Sequence, residues 1–424
     1  MSRLGAALSG IPSHPGLWTF WVVQMVGLVF LQKFGLPAGG GKVLAINLPL
    51  ALGSLAAWWL LRPQSLSLNP RRTVLYALFC GTAVLSQVFG GRDFSPTAMG
   101  LMLALYFPLV FRYELQRDDF LRCLRVFQLF MLFIAFDVFA LQIMQKLWSA
   151  ASWPDLNRLA PEALLVPGFN YYRETGWNTG VFQPHAVVFL EVSIVSQFLA
   201  LAVVIEFEFF KRWGWLAIYV AALLATFAGT GLLMLVFVAP FVMRKLSPKL
   251  LLGGLVAAVV LGAVGASIGW LDQVMLRLSE VNQPGSSGYY RFTVPYMQLT
   301  ESLSSGVRAL FGMGAGNTIE SNDDATVVLA VNKLISEYGM VTTVAFFTLF
   351  FHALFEKTPS RLLAVALAVF YNLCAGALSV PVYVMTYIML GTFLRIAPEP
   401  ERTGARASLQ PSVRVSIRSQ PALR

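Results

Sequence analysis

Two stretches of this chain set an arginine among aromatic rings. The first reads Tyr171-Tyr172-Arg173-Glu174-Thr175-Gly176-Trp177 and continues Gly180-Val181-Phe182-Gln183-Pro184-His185 into an apolar run. Rings can pack on the faces of sugars, and a guanidinium fork holds phosphate oxygens through paired hydrogen bonds. Glu174 could take up a proton. His185, placed at the mouth of the apolar run, could exchange one with water near neutral pH. The plainer account is a set of interfacial aromatics with a snorkelling arginine, common at membrane edges.

The second stretch reads Tyr289-Tyr290-Arg291-Phe292-Thr293, then Arg308-Ala309-Leu310-Phe311-Gly312-Met313-Gly314-Ala315-Gly316-Asn317. Around it Asp272, Glu280, Glu301, Glu320, Asp323 and Asp324 outnumber Arg277, Arg291 and Arg308, so Arg291 does not belong to a general basic surface. The glycines either let a backbone approach a phosphate closely or make a sharp turn. A helix is expected over 325–338, capped by Asp323 or Asp324. On it Asn332 and Ser336 share a face, as do Lys333 and Glu337. The Tyr-Tyr-Arg echo between the two stretches is better explained by coincidence.

Absences narrow the chemistry. No Walker loop, HExxH or GxSxG occurs, and three histidines cannot build a histidine-rich metal centre. Cys80, Cys123 and Cys374 lack the spacing of a zinc site or a disulfide framework. Neither a metal nor a cofactor is expected.

The elements that hold these stretches follow from composition. With 57% hydrophobic and 12% charged residues and a mean hydropathy of +0.67, the chain is not an ordinary soluble protein. Its apolar runs match the ~20 residues needed to cross a bilayer. Spans are expected at 17–36, 43–61, 73–89, 96–111, 124–147, 185–206, 213–228, 230–243, 251–270, 337–355, 361–378 and 380–396. The run 213–243 is split at Gly229-Thr230-Gly231, a tight hairpin, because an unsplit helix would put Lys211-Arg212 and Arg244-Lys245 on opposite faces. With the split, 21 of the 31 basic residues fall on one side, the positive-inside pattern. This bias, not nucleic acid, accounts for the basic balance.

The expected fold is therefore an all-α polytopic integral membrane protein of about twelve helices. Residues 1–16 form a cytoplasmic N-terminus, 17–396 the membrane domain and 397–424 a basic tail that reads as disordered and drawn to anionic lipid. The first run shows no cleavage site and reads as a retained helix. Both termini lie inside, and the long loops 148–184 and 271–336, which carry the two arginine-aromatic stretches, lie outside. Loops of that length are usually functional. Within the spans, Asp137 and Glu191 are costly carboxylates, functional by default or neutral and hydrogen-bonded between helices.

Taken in order, these residues form a pattern. An Arg-aromatic outer loop with Gly-Val-Phe-Gln-Pro is followed by the Ala-Thr-Phe-Ala-Gly-Thr-Gly-Leu-Leu-Met-Leu hairpin. A second outer loop carries Tyr-Arg-Phe and Leu-Phe-Gly-Met-Gly-Ala-Gly, and a helix ends Ile-Ser-Glu-Tyr-Gly. From about residue 165 to 345 the chain resembles the bacterial O-antigen polymerase (Wzy-like) and O-antigen ligase superfamily, and through it exopolysaccharide polymerases and GT-C-like membrane folds. The resemblance implies metal-independent glycosyl transfer at the periplasmic face of the inner membrane, from sugars carried on undecaprenyl pyrophosphate. It implies that Arg291 first, Arg173 second and Arg308 beside them neutralise the pyrophosphate. Tyr172, Tyr290 and Asn332 would bind sugar, and Glu174, His185 or Glu337 would serve as base. Membrane lipid, a flippase and a chain-length regulator of the same pathway are the implied partners. Ligases of this superfamily place a histidine where this chain has Val328, so the polymerase is the nearer relative. A transporter or flippase of the lipid-linked unit is the rival of another class, but the sequence lacks the repeated halves typical of transporters.

Overall fold

The structure, a computed structural model, describes residues 15–37, 43–61, 67–90, 94–167, 172, 174, 180–267, 283–284, 289, 293–304, 306–317, 329–373 and 377–397. Arg173, Tyr290, Arg291, Asp323, Asp324, Cys374 and the basic tail lie outside them.

The described chain is mostly helical: α1 Pro15–Phe30, α2 Asn47–Leu61, α3 Pro70–Gly90, α4 Pro96–Tyr106, α5 Arg117–Leu147, α6 Val192–Ile205, α7 Trp213–Ala225, α8 Gly229–Met243, α9 Pro248–Ser267, α10 Val294–Ser304, α11 Val307–Phe311, α12 Ala330–Phe355, α13 Arg361–Leu373 and α14 Pro381–Tyr387. Turns of π-helix extend α6 through Phe210 and α14 through Phe393. Among the described residues, four helices can cross a membrane by length and composition: α3, α5, α6 with its extension, and α12. Seven shorter apolar ones accompany them. Val84, Val88 and Phe89 on α3, Phe133 and Phe136 on α5, Val236 and Phe237 on α8, and Val344 and Phe351 on α12 are exposed. So apolar an exterior around a packed interior is consistent with a helical membrane protein.

Helix boundaries follow local chemistry. Ser95 caps α4, its hydroxyl accepting from the Ala98 N–H at 3.2 Å with proline at the first helical position. Asn69 does the same for α3, accepting from the N–H groups of Arg71 and Arg72 at 3.1 and 3.2 Å. The run 213–243 does break into two helices. The break falls at Thr226–Ala228, with Phe227 in the left-handed region at φ +53°, rather than at Gly229-Thr230-Gly231. Those three residues begin α8, where Gly231 has no room for a Cβ: one would lie 2.2 Å from the Ser196 carbonyl oxygen. The glycine serves helix packing, not a turn.

Short strands pin the two ends of the bundle. At one end β1 (Gly35–Pro37) and β2 (Val43–Ala45) form a hairpin. At the other, β4 (Phe111–Leu115) pairs antiparallel with β3 (Ser67–Leu68) and parallel with β5 (Leu394–Ile396). These strands are an addition to the all-α expectation.

The β4 end collects buried arginine. Arg72 and Arg395 are fully buried. Arg72 donates to Glu356 at 2.9 Å, to the Thr392 carbonyl at 3.0 Å and to the Ala353 carbonyl at 3.0 Å. Arg395 donates to the carbonyls of Ala353, Gly391 and Glu356 at 2.5, 2.7 and 2.9 Å. Asn69 reaches both carboxylate oxygens of Glu356 at 2.8 and 2.9 Å. This arginine end joins the starts of α3 and α5 to the ends of α4, α12 and α14. The opposite, histidine end carries the remaining candidates.

Candidate functional site

At the histidine end α5 stops at Leu147 and the chain doubles back, so that the Trp153 indole donates to the Leu141 carbonyl at 2.8 Å. Tyr172 stacks on Trp153 with ring centroids 6.1 Å apart. The His185 ring meets both edge-on, at 6.0 and 6.1 Å, and Phe182 lies 6.3 Å from Tyr172. Gln145 fixes Phe182 by accepting its N–H at 2.7 Å. Glu174, half-buried, forms an isolated antiparallel bridge with Phe182. The structure thus brings Tyr172 and His185 into one aromatic box, with the Glu174 backbone joined to it through Phe182.

Beneath the box is a cation that the sequence reading passed over. Lys33 is fully buried in the turn after α1. Its ammonium donates to the Val187 carbonyl at 2.5 Å and lies 3.3 Å from His185 Nδ1. Burial lowers the Lys33 pKa to about 7, with the charges of Asp155 and Asp137 pulling the other way. Burial first and the Lys33 charge second lower His185 to about 3. The imidazole is therefore neutral in the neutral pH range. The direction of the Lys33–His185 hydrogen bond follows the tautomer of the ring, and the lowered pKa makes the imidazole a weak base.

This corrects the expected position of His185. It is 2% exposed, not open to water. It also does not adjoin a helix: α6 begins at Val192, and a turn with Ala186 and Val187 at φ +47° and +44° intervenes. Glu191, expected within a span, stands at the N-cap of α6. The signal that could have disclosed Lys33 was present, a lone basic residue closing a largely apolar run. It was submerged in the expected span 17–36, whereas α1 ends at Phe30.

Glu337 and Asn332 belong to a second cluster. The helix expected over 325–338 starts at Ala330, with Leu329 at its N-cap and no side-chain cap bond. The shared faces hold. Ser336 and Ser302 hydroxyls lie 3.1 Å apart, and Lys333 reaches Glu337 at 3.7 Å. The Asn332 amide, however, donates to the Pro295 carbonyl, tying α12 to α10, and Asn332 and Glu337 are buried. Arg308 is exposed on α11.

The glycine-rich turn is not a phosphate loop. Four consecutive N–H groups are already used: Gly312 donates to Arg308 O at 2.7 Å, Met313 to Ser336 O at 2.8 Å, Gly314 to Glu337 O at 3.1 Å and Ala315 to Gln87 Oε1 at 2.7 Å. The two acceptors on α12 are open because Gly339, at φ +72° and ψ 176°, interrupts the helical ladder. A Cβ at Gly339 would fall 2.2 Å from Leu310 O, and one at Gly312 would fall 2.5 Å from Glu337 backbone atoms. The glycines exist so that two backbones can touch.

Among known proteins, no family profile matches this chain and no curated protein matches it.

Proposed function

We propose that the protein is a lipid-linked polysaccharide polymerase of the bacterial inner membrane. It joins oligosaccharide repeat units carried on undecaprenyl pyrophosphate, with the histidine end facing the periplasm and both termini in the cytoplasm across about twelve spans. One observation carries the reading: a box of Trp153, Tyr172 and Phe182 over a buried lysine–histidine pair, continuous with the loop that holds Arg173. Rings and cations together suit a sugar bearing phosphate. The orientation is supported by the excess of basic residues at the connections of the arginine end.

In this reaction a terminal hydroxyl of one unit attacks C1 of the reducing-end sugar of the growing chain. The bond from C1 to the pyrophosphate oxygen breaks, and lipid pyrophosphate leaves with the electron pair. Arg291, Arg173 and Arg308 meet the charge growing on the leaving oxygens, so no metal is required. A carboxylate takes the hydroxyl proton. Glu174, half-buried beside the box, suits that role better than Glu337, which is buried against Lys333. His185, buried against Lys33 and with its pKa lowered to about 3, is a poor base and positions its neighbours instead.

The test is the product profile of a deletion strain. Single lipid-linked repeats should accumulate on the outer leaflet with no long chains. Long lipid-linked chains left unattached to lipid A core would instead identify a ligase, and repeats trapped on the inner leaflet a flippase. Arg291→Ala should abolish polymer while the protein still inserts; near-normal polymer would remove Arg291 from the site.

A further inference from the structure

At the arginine end, away from the proposed active site, a cavity of about 330 Å³ is lined by Phe207, Glu208, Lys211, Trp213, Lys245 and Leu246, with Leu216. It lies where the π-helical extension of α6, the start of α7 and the end of α8 converge. Its charges are unequally engaged. Glu208 is held by Lys245, which reaches both carboxylate oxygens at 2.7 Å, and by the Ser360 hydroxyl at 2.8 Å. Neighbouring Arg212 is committed to Glu206 at 2.8 and 2.7 Å and lies 3.7 Å over the Trp215 ring. Lys211 makes no ion pair among the described residues.

Lys211 also has an unusual backbone. It closes the π-helical extension at φ +58°, ψ 30°, a left-handed position that glycine would occupy at less cost. A residue kept in a disfavoured conformation is a pointer to the work of its side chain. The cavity therefore presents two lysines against one carboxylate, an uncompensated single positive charge. The rest of its wall is apolar, and Trp213 is exposed at its rim as tryptophans are at membrane interfaces.

We propose that this cavity binds the phosphodiester headgroup of an anionic membrane lipid, with Lys211 pairing the phosphate and Phe207, Leu216 and Leu246 packing against the lipid backbone. A single net positive charge matches the single negative charge of a phosphodiester, and basic hollows between helices at a membrane face suit such headgroups. Only the identity of the leaflet, the cytoplasmic one, rests on the orientation proposed above.

Native mass spectrometry of the purified full-length protein, with added phosphatidylglycerol or phosphatidylcholine, tests the site without any glycan substrate. A failed polymerase assignment would show in the product profile and would leave this measurement untouched. The wild type should retain phosphatidylglycerol in preference to phosphatidylcholine. Lys211→Gln should lower that retention on the order of five-fold, the equivalent of the ~1 kcal/mol that one basic residue contributes near an anionic surface. Lys249→Gln, the same change of charge on α9 outside the cavity lining, should leave retention unchanged. Leu216→Trp, which fills the apolar part and alters no charge, should lower it. Equal losses from Lys211→Gln and Lys249→Gln would reduce the effect to general surface charge and overturn the proposal. So would equal retention of the two lipids, or displacement by inorganic phosphate as effective as by phosphatidylglycerol, which would make the ligand a soluble anion.

Discussion

Both ends of the bundle bury cations, and they treat them differently. At the arginine end, Arg72 and Arg395 spread their donors over backbone carbonyls from the ends of α4, α12 and α14, and Glu356 supplies the countercharge. A guanidinium fits several planar acceptors at once and stays charged at neutral pH, even where burial lowers Arg395 to about 9. Such a group can tie helix ends together permanently. At the histidine end the buried cation is a lysine, whose compact ammonium loses its charge more readily when desolvated. With its pKa lowered to about 7, Lys33 is poised at the point where its charge changes, beside an imidazole that burial keeps neutral. The arginine end is built to stay fixed, and the histidine end to respond.

The sharpest break of that contrast is Glu356→Ala. It leaves Arg72 buried without its carboxylate and removes the partner of Asn69, and should cost about 3 kcal/mol or more in thermal or denaturant unfolding. A loss below about 1 kcal/mol would mean that the carbonyls alone support the arginines. Next comes pH. The unfolded lysine, at its ordinary 10.5, holds a proton that folded Lys33 has already released above about 7. Stability should therefore rise as pH goes from 7 towards 10. Melting temperatures at pH 7 and 9 should show this rise in the wild type and a smaller one in Lys33→Met; identical slopes would take Lys33 out of the account. The smallest effect sharpens the comparison from an ordinary helix terminus. Ser95→Ala, which deletes the α4 cap, should cost about 1 kcal/mol with no dependence on pH.

The helices were legible because membrane-type runs need only length and apolarity, and α3, α5 and α12 declare both. The division of 213–243 was also legible from charge. Its position was not, because the attractive Gly-Thr-Gly hid the requirement of Ser196 for a bare neighbour at Gly231, a contact between residues 35 apart. The same applies at Gly312 and Gly339. Alternate glycines look alike whether they cradle a ligand or a second backbone, and only the partner, Ser336 and Glu337 on α12, decides. In and beside the first loop, Tyr172, Glu174 and His185 stand out by type and order, and the structure places them near one another. Lys33 was missed because it lies 152 positions from His185 in the chain, and no local pattern records that pairing.

The latch at the arginine end also has a direction in time. Its pieces come off the ribosome in the order Asn69 and Arg72, then Arg112, whose guanidinium lies 3.6 Å from Glu356, then Glu356 itself, and last Arg395 on β5. Until that final strand is made, the Ala353 carbonyl has only Arg72 as guanidinium donor, the Gly391 carbonyl lacks Arg395, and β4 lacks its parallel partner. Assembly of this end is thus completed from the rear of the helical bundle, and a chain halted before residue 394 would carry every helix named above yet hold this end by Asn69, Arg72, Arg112 and Glu356 alone.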